Sequence, residues 1–360
     1  MKIVIRAGGV GSRLWPVSRQ AKAKQFHAFT SEETMLQEAI DRVNGLAAPE
    51  DMYISTNTKS EELVRSQYST IPNQNIIVEP ARKDTAAAIG LESIVIRKHD
   101  PNAIVASLGS DHSIKHGDEF QRVLRIAEQF VTGHPEYMVA VGLRPTHADT
   151  GYGYIECGEV LQEIDGSAIH NVNQFREKPD EVTAKQFIAQ PNFLWNGNMF
   201  VWKVSTVLDL YEKHLPEMYA ELLKIEAALG TSEEKAVIEE VYPQLEKIAV
   251  DYAIIEKTDK IAGMAADIGW NDIGDWARLK DELAQTEAEN VVIGAELLDR
   301  DTSNTLVYSS EKGKKIATIG VENLIIVDTG DALLICDKYK SQEVKKIVEQ
   351  LEENGNTEVL

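Results

Sequence analysis

A glycine-rich turn near the amino terminus carries the residues best suited to bind phosphate. The segment GGVGSR at residues 8–13 follows the short apolar run Lys2–Ile5. Glycines allow a tight turn and let backbone N–H groups approach phosphate oxygens, and an arginine adds a planar, bidentate cation. The spacing matches neither a P-loop nor a G-x-G-x-x-G dinucleotide turn. Cations follow closely at Arg13, Arg19, Lys22 and Lys24, so we interpret the turn as a phosphate-binding loop.

An aspartate at the end of a second apolar run is the candidate metal ligand. Asp111 follows the run Ala103–Leu108, and on its own such an aspartate is more often a turn former or a helix N-cap. The functional interpretation is a ligand for Mg²⁺, which takes one or two carboxylates together with substrate phosphates. Asp272 and Asp275 are candidate partner carboxylates. The spacing alone leaves open whether either of them meets Asp111.

Other polar residues suit a sugar or a base, and each also has a structural explanation. Glu177 and Lys178 could bind a sugar hydroxyl and a phosphate, although a solvated ion pair explains them equally well. Asn196 can both donate to and accept from a hydroxyl, and a β-turn explains its Asn-Gly pair. Glu79 ends a predicted strand and could accept from the N–H edge of guanine, whereas Asp84 reads as an ordinary N-cap.

The composition excludes several classes of protein. The 360 residues include 58 acidic and 37 basic side chains, and the net charge of −21 argues against nucleic-acid binding. The two cysteines, Cys157 and Cys336, form neither a disulfide framework nor a metal-ligand spacing. The apolar runs are too short for a signal peptide or a membrane span. We therefore expect a soluble cytoplasmic protein with no nucleic-acid or membrane partner.

Strand-like and helix-like segments alternate through the first half of the sequence. The predicted strands are Lys2–Ile5, Met52–Ser55, Ile76–Val78, Ala103–Leu108 and Met138–Leu143. The predicted helices are Glu32–Val43, Ser60–Gln67, Asp84–Arg97 and Asp118–Val131. This alternation is typical of a mostly parallel sheet, in which ligands bind beyond the carboxyl ends of the strands.

The remaining sequence changes character twice. Residues 149–203 contain strand-like pieces with one short helix at Glu181–Gln190, which we interpret as a second layer of mixed or antiparallel sheet. After several helices, short strands follow Glu289, and a final helix spans Ser341–Glu353. We expect the last six residues to fray. The predicted domains are 1–287 and a small β-rich domain at 288–360.

These segments together resemble the sugar-1-phosphate nucleotidyltransferases. The resemblance is carried by GGVGSRLWPVSR with KAKQF, and then by EPARKDTAAAIG, SLGSDHSI, GYGYIE, FREKP, WNGNMF, DYAIIEK and GWNDIGDW. The Trp-Pro and Lys-Gln-Phe elements resemble the mannose-1-phosphate guanylyltransferases in particular. No isomerase-like extension follows, so the resemblance is to the single-function form. It implies an α/β fold: a Rossmann-like, mostly parallel or mixed sheet with a small β-helix-like C-terminal domain.

The resemblance also implies a reaction. GMP would pass from GTP to mannose 1-phosphate by direct in-line attack, with Mg²⁺ or Mn²⁺ as cofactor and a homodimer as the assembly. It implies catalytic roles for Arg13, Lys24 and Asp111, with Asp111 and Asp272 holding the metal. It implies nucleotide binding by Gly8, Gly9, Gly11, Ser12, Glu79 and Thr85. It implies sugar-phosphate binding by Gly153, Glu177, Lys178 and Asn196.

Several positions depart from the family pattern. Arg6 stands where an apolar strand residue is usual, and Asn198 replaces a common glycine. Ala23 replaces a proline, Asp84 stands in place of an asparagine, and Gly109 replaces a proline or alanine. Arg13, Lys24, Asp111, Glu177, Lys178 and Asp272 are all retained, so we expect an active enzyme. Two alternatives stay open: a nucleotidyltransferase for a different sugar 1-phosphate, or a regulatory subunit that binds GDP-mannose without catalysis.

Overall fold

A computed structural model describes residues 1–68 and 70–360. Its strands are β1 Lys2–Arg6, β2 Met52–Asn57, β3 Ile76–Glu79, β4 Ile104–Gly109, β5 Ser113–Ile114, β6 Met138–Leu143, β7 Tyr154–Ile164, β8 Ser167–Arg176, β9 Phe193–Lys203, β10 Ile261–Ala266, β11 Trp270–Asn271, β12 Val291–Ile293, β13 Ala295–Arg300, β14 Leu306–Ser309, β15 Lys314–Ile319, β16 Leu324–Asp328 and β17 Leu333–Asp337. Its α-helices are α1 Met35–Asp41, α2 Glu61–Gln67, α3 Asp84–His99, α4 Gly117–Gly133, α5 Glu181–Ile188, α6 Val204–His214, α7 Pro216–Ala228, α8 Glu234–Val241, α9 Val250–Ala253, α10 Trp276–Leu283 and α11 Val344–Glu353. Short 3₁₀ turns include Ser12–Leu14, Lys24–Phe26, Lys338–Glu343 and Thr357–Val359.

Internal contacts divide the chain into two compact units, and each unit is assembled from separate stretches of sequence. The first unit contains Met1–Gly8, Ile40–Ser110 and Ile114–Trp270. The second unit contains Gly9–Ala39, Asp111–Ser113 and Asn271–Leu360. The boundary expected after residue 287 stays a prediction.

The first unit is built on one mixed sheet with the order β3-β2-β1-β4-β9-β6-β10-β8-β7. Strands β1 to β4 are parallel to one another, so the chain leaves them at the same edge of the sheet. Strand β9 is antiparallel to both β4 and β6. The α/β class with a mixed sheet is therefore confirmed.

The second sheet layer expected for residues 149–203 is wrong. Strands β7, β8 and β9 belong to the same sheet as β1 to β4. Nearly every residue of β9 is buried, on both faces of the strand. The apolar run FLWNGNMFVWK is typical of a central strand covered on both sides, which explains its place between β4 and β6.

Helix α4 shows how local spacing orients an element in the first unit. Its buried side chains Phe120, Val123, Leu124, Ala127 and Val131 recur at intervals of three and four residues. This spacing places them on one face of the helix. Helix α4 packs against β4, β6 and β9, so its apolar stripe covers the middle of the sheet.

The second unit has short parallel ladders and a core built from both ends of the sequence. Strands β12, β14 and β16 pair in parallel, as do β13 and β15, and β17 is antiparallel to β16. Trp15 and Phe29 share a buried cluster with Trp276, Leu306 and Val327. The glycine-rich turn is therefore anchored by residues from the last quarter of the sequence.

The expectation that the last six residues fray is wrong. Residues Thr357–Val359 form a 3₁₀ turn. The indole nitrogen of Trp15 donates to the carbonyl oxygen of Val359 over 2.8 Å. This contact with a buried side chain fixes the carboxyl-terminal segment within the second unit.

We expect Trp276→Ala to lower the free energy of unfolding by about 3–5 kcal/mol, the usual cost of removing a buried aromatic ring. Trp276 is fully buried, packs edge-on against Phe29 and donates to the carbonyl oxygen of Trp15 over 2.9 Å. Urea denaturation followed by circular dichroism measures the change. The control is Ile319→Ala, at a position that is 73% exposed, where we expect a change within about 0.5 kcal/mol. Equal losses in both variants would contradict this role for Trp276.

Candidate functional site

The buried ammonium group of Lys24 joins the two aspartates that the sequence proposed as metal ligands. Lys24 is 3% exposed. Its Nζ donates to the carbonyl oxygen of Asp111 over 2.7 Å and to that of Asp272 over 2.6 Å. It also lies 3.2 Å from Oδ2 of Asp111. The structure thus shows that Lys24, Asp111 and Asp272 lie together, which the spacing in the sequence could not establish.

Gly11 makes room for Lys24. Gly11 has a φ of +72°, and a Cβ atom there would lie 2.6 Å from Cβ of Lys24. A side chain at this position is therefore excluded by both the backbone conformation and the neighbour. Gly11 is followed by the 3₁₀ turn Ser12–Leu14, which carries Arg13. The glycine spacing in the sequence reflects this close approach of the loop to the lysine.

The two aspartates supply oxygen ligands of the kind that a hard divalent cation takes. Burial raises the pKa of Asp111, but the charges of Lys24 and His112 outweigh it and the net pKa is lowered. The Asp111 side chain is nevertheless 42% exposed. Asp272 accepts from the backbone N–H of Gly274 over 3.2 Å and from Arg278 over 2.5 Å. Two carboxylates fit Mg²⁺ completed by substrate phosphates.

Among residues 1–68 and 70–360, no group of three or more histidine, cysteine or acidic side chains is arranged to hold a metal ion. This finding is compatible with Mg²⁺, because that ion keeps several water or phosphate ligands and needs few from the protein.

Asp275 links helix α10 to Arg13 through Gln342, a residue that the sequence analysis did not identify. Asp275 caps α10 by accepting from the backbone N–H groups of Ala277 and Arg278. Its Oδ2 accepts from Gln342 over 2.5 Å, and Oε1 of Gln342 accepts from Arg13 over 2.7 Å. An aspartate directly before an amphipathic helix is an N-cap signal. Nothing local in the sequence marks Gln342, because it lies 329 residues from Arg13.

The four residues predicted to bind the sugar phosphate lie together in the first unit. A Cβ atom on Gly153 would lie 2.4 Å from Oε2 of Glu177 and 3.1 Å from Cβ of Asn196. The backbone N–H of Asn196 donates to the carbonyl oxygen of Gly153 over 2.8 Å. The ammonium group of Lys178 is bonded to Oε1 of Glu177. These contacts bring together one carboxylate, one ammonium group and one amide.

Asp251 belongs to the same group of residues and was not predicted. The side-chain amide of Asn196 donates to Oδ1 of Asp251 over 3.2 Å. Burial, together with the nearby charge of Glu177, raises the pKa of Asp251 to about 6. The only sequence signal is that DYAIIEK places an acidic residue at the start of an otherwise apolar segment.

Glu79 ends strand β3 in a buried environment. Tyr242 donates its hydroxyl to Oε2 of Glu79 over 2.6 Å, and a Cβ atom on Gly8 would lie 3.2 Å from Oε1. Burial raises the pKa of Glu79 to about 7, although the bond from Tyr242 opposes the rise. Of the other predicted nucleotide-binding residues, Thr85 accepts from the backbone N–H of Val250 through its hydroxyl over 2.8 Å.

Comparisons with known proteins agree with these observations. Residues 2–289 match the nucleotidyl transferase family, and residues 296–351 match a family described as the MannoseP isomerase/GMP-like beta-helix domain. The chain is 35% identical over 359 residues to a mannose-1-phosphate guanylyltransferase of Klebsiella pneumoniae, covering 99% of this chain and 74% of that protein. It is 35% identical to a mannose-1-phosphate guanylyltransferase of Escherichia coli strain K12, again over 74% of that protein.

A solved structure shows the same fold. A crystal structure described as mannose-1-phosphate geranyltransferase from Thermus thermophilus is 30% identical, with a TM-score of 0.86. The match covers 98% of this chain and 99% of the other. Within the part of the chain that the structure describes, no helix has both the length and the apolar composition needed to cross a membrane. The single-function form and the cytoplasmic location stay predictions.

We expect Glu79→Gln to change how stability depends on pH. Burial favours protonated Glu79, so its raised pKa makes the folded protein lose stability as pH rises from about 4.5 to about 7. Glutamine removes that penalty. The stability of the variant relative to the unmodified protein should rise by about 3 kcal/mol between pH 4.5 and pH 8.

Urea denaturation at several pH values measures this difference. The control is Glu62→Gln at an exposed position of helix α2, where the difference should stay constant with pH. A Glu79→Gln variant whose relative stability is also constant would show that the pKa of Glu79 is the same in the folded and the unfolded protein, and would contradict the rise caused by burial.

Proposed function

The chain belongs to the nucleotidyl transferase family, and we propose that it transfers GMP from GTP to α-D-mannose 1-phosphate, forming GDP-mannose and pyrophosphate. Nucleotide and sugar-phosphate substrates follow from the family. The observation that carries the proposal is the buried ammonium group of Lys24 between Asp111 and Asp272, following a glycine turn that bears Arg13. This arrangement supplies both the cations and the carboxylates that phosphate transfer needs.

The reaction proposed is a single displacement at phosphorus. An oxygen of the sugar phosphate attacks the α-phosphorus of GTP in line, the bond from that phosphorus to the bridging oxygen breaks, and pyrophosphate leaves. Such transfer depends on positioning and charge neutralisation. Arg13 and Lys24 are the side chains we assign to the negative charge on the phosphates, and the backbone of Gly8–Ser12 is assigned to the triphosphate.

Asp111 and Asp272 are the residues we assign to a divalent cation, Mg²⁺ or Mn²⁺. When bound, such a cation neutralises phosphate charge beyond what the protein cations supply. The bonds from Lys24 to the backbone carbonyls of both aspartates hold these residues in place. The bond from Arg278 fixes the Asp272 carboxylate.

The first unit is assigned to substrate recognition. Glu177 and Asn196 are suited to sugar hydroxyls, Lys178 is suited to the sugar phosphate, and the absence of a side chain at Gly153 leaves space beside Glu177. Glu79 is assigned to the guanine edge, whose N–H groups are donors and therefore favour an ionised carboxylate. Thr85 is assigned to the nucleotide as well.

The homodimer stays a prediction from the sequence.

The test is pyrophosphate release with each of five nucleoside triphosphates against mannose, glucose and N-acetylglucosamine 1-phosphates. We expect the strongest release with GTP and mannose 1-phosphate. Protein treated with a chelator should be inactive and should recover with Mg²⁺ or Mn²⁺. A different strongest pair would replace the proposed substrates and support the first alternative. Binding of GDP-mannose without release from any pair would support a regulatory subunit.

We expect Gln342→Ala to lower kcat/KM for the nucleotide about tenfold. The hydrogen bond between Gln342 and the charged Arg13 is exposed, so its loss should cost about 1.4 kcal/mol, the equivalent of a tenfold change, by leaving Arg13 less well oriented. Pyrophosphate release at varied GTP measures the effect. The control is Gln350→Ala on the exposed side of α11, which should leave kcat/KM unchanged. Equal values for both variants would remove Gln342 from the positioning of Arg13.

A further inference from the structure

Arg6 reaches across the sheet from the end of β1 to a bulge in β9. Its Nη1 is bonded to the hydroxyl of Ser107 on β4, the strand between β1 and β9. Its Nη2 donates to Oδ1 of Asn198 over 3.2 Å and to the carbonyl oxygen of Asn198 over 3.4 Å. Arg6 and Asn198, two of the positions at which the sequence departs from the pattern of the family it resembles, are therefore in contact.

Asn198 lies at an irregularity of strand β9. The pairs Ala140↔Phe200 and Gly142↔Asn196 span two residues of β6 but four residues of β9. The extra residues form a bulge, and Asn198 within it has a φ of +51°. This left-handed conformation is adopted readily by glycine and also by asparagine. Bulges commonly redirect a side chain next to a functional site.

The bulge determines where the amide of Asn196 points. The backbone N–H of Asn198 donates to Oδ1 of Asn196 over 3.0 Å. The other end of the same amide donates to Asp251. Hydrogen bonds therefore run without interruption from Arg6 through Asn198 and Asn196 to Asp251. Asn196 is the residue assigned to the sugar in the proposed function.

The charge of Arg6 is balanced by buried acids around it. The charge of Arg6 lowers the pKa of Glu79, of Glu92 and of Asp251, each of which is raised first by burial. Glu79 and Glu92 lie in one stretch of the first unit, Ile40–Ser110, and Asp251 lies in another, Ile114–Trp270. A guanidinium at this position is therefore compensated, which an isolated buried cation would not be.

We propose that Arg6 and Asn198 act as a pair of positioning residues. They hold the β9 bulge in its conformation and thereby orient the amide of Asn196 for binding the sugar phosphate. This inference rests on the proposed function of the Asn196 site. The planar guanidinium is essential to it because one group must reach Ser107 and Asn198 at the same time, which the single ammonium group of a lysine cannot do with the same geometry.

The test is a double-mutant cycle with Arg6→Lys and Asn198→Gly. Lysine keeps the positive charge, and glycine keeps the left-handed backbone while removing the amide. Each single variant should raise KM for the sugar 1-phosphate about tenfold and leave KM for the nucleotide within twofold. The double variant should be no worse than the poorer single variant, because both changes break the same interaction.

Matched controls separate this effect from general loss of structure. Arg122→Lys and Asn102→Gly alter a half-buried ion pair and an exposed turn of the first unit, and both KM values should stay unchanged. A third variant, Arg6→Leu, removes the charge as well as the hydrogen bonds, so its comparison with Arg6→Lys isolates the effect of the charge. If Arg6→Leu is impaired while Arg6→Lys behaves like the unmodified protein, Arg6 acts by its charge and the positioning role is overturned. Independent, additive effects in the cycle would also overturn it.

The unmodified protein distinguishes failure of this inference from failure of the proposed function. The assays use the nucleotide and sugar phosphate that give the strongest pyrophosphate release. If no pair reacts, calorimetric titration with mannose 1-phosphate replaces KM, and the same tenfold losses of affinity are expected. If the protein is active or binds the sugar phosphate, but the effects of Arg6→Lys and Asn198→Gly are not coupled, only the inference about this pair of residues is overturned. If the protein neither turns over nor binds any of the three sugar phosphates, both this inference and the proposed function are overturned.

Discussion

The buried ammonium group of Lys24 is the constraint on which the second unit depends. A charge with 3% exposure is stable only if nearby groups replace its water. Two backbone carbonyls, from Asp111 and Asp272, and one carboxylate do so. Because those groups come from stretches 87 and 248 residues away, satisfying the lysine fixes three segments of the chain to each other. Gly11 is required by the same contact, since a Cβ atom there would meet the lysine side chain.

The core of the second unit explains why the glycine turn is positioned by the end of the sequence. Trp15, two residues after the turn, donates to Val359 and accepts from Trp276, so the chain that leaves the turn is bonded to two segments of the C-terminal part. Asp275 then joins the cap of α10 to Gln342 and, through Gln342, to Arg13. The β-helix-like segment is thus part of the same packed unit as most of the glycine-rich turn. Gln342 of that segment accepts a hydrogen bond from Arg13 of the turn.

The electrostatic constraint in the first unit concerns buried carboxyl groups and not a buried ammonium group. Glu79, Glu92 and Asp251 are buried close enough to Arg6, at the carboxyl end of β1, for its charge to lower the pKa of each. Burial favours their protonated forms, and Arg6 and Tyr242 partly reverse that preference through charge and hydrogen bonding. The side chains assigned to the base and to the sugar are therefore held in a network whose protonation responds to the same few groups.

The sequence determined the local elements and the chemical types of the site. Strand β6 has the bounds that its apolar run predicted, and β1 to β4 agree to within two residues, because short buried strands are encoded in neighbouring residues. The glycine turn, Glu79, Glu177 and Asn196 were visible because their residue types and positions at strand ends are local features. The roles of these residues in binding and catalysis stay predictions. The family resemblance extended the prediction from these features to the fold.

Only the tertiary structure decided which distant segments meet. It inserted β9 between β4 and β6, whereas the sequence suggested a separate layer, because strand pairing depends on burial of both faces and not on the strand itself. It brought Lys24 to Asp272, Gln342 to Arg13, and Arg6 to Asn198. Contacts of this kind leave no periodic signal, since each depends on the packing of segments hundreds of residues apart. The sequence therefore names the chemical groups, and the packing of the chain determines their partners.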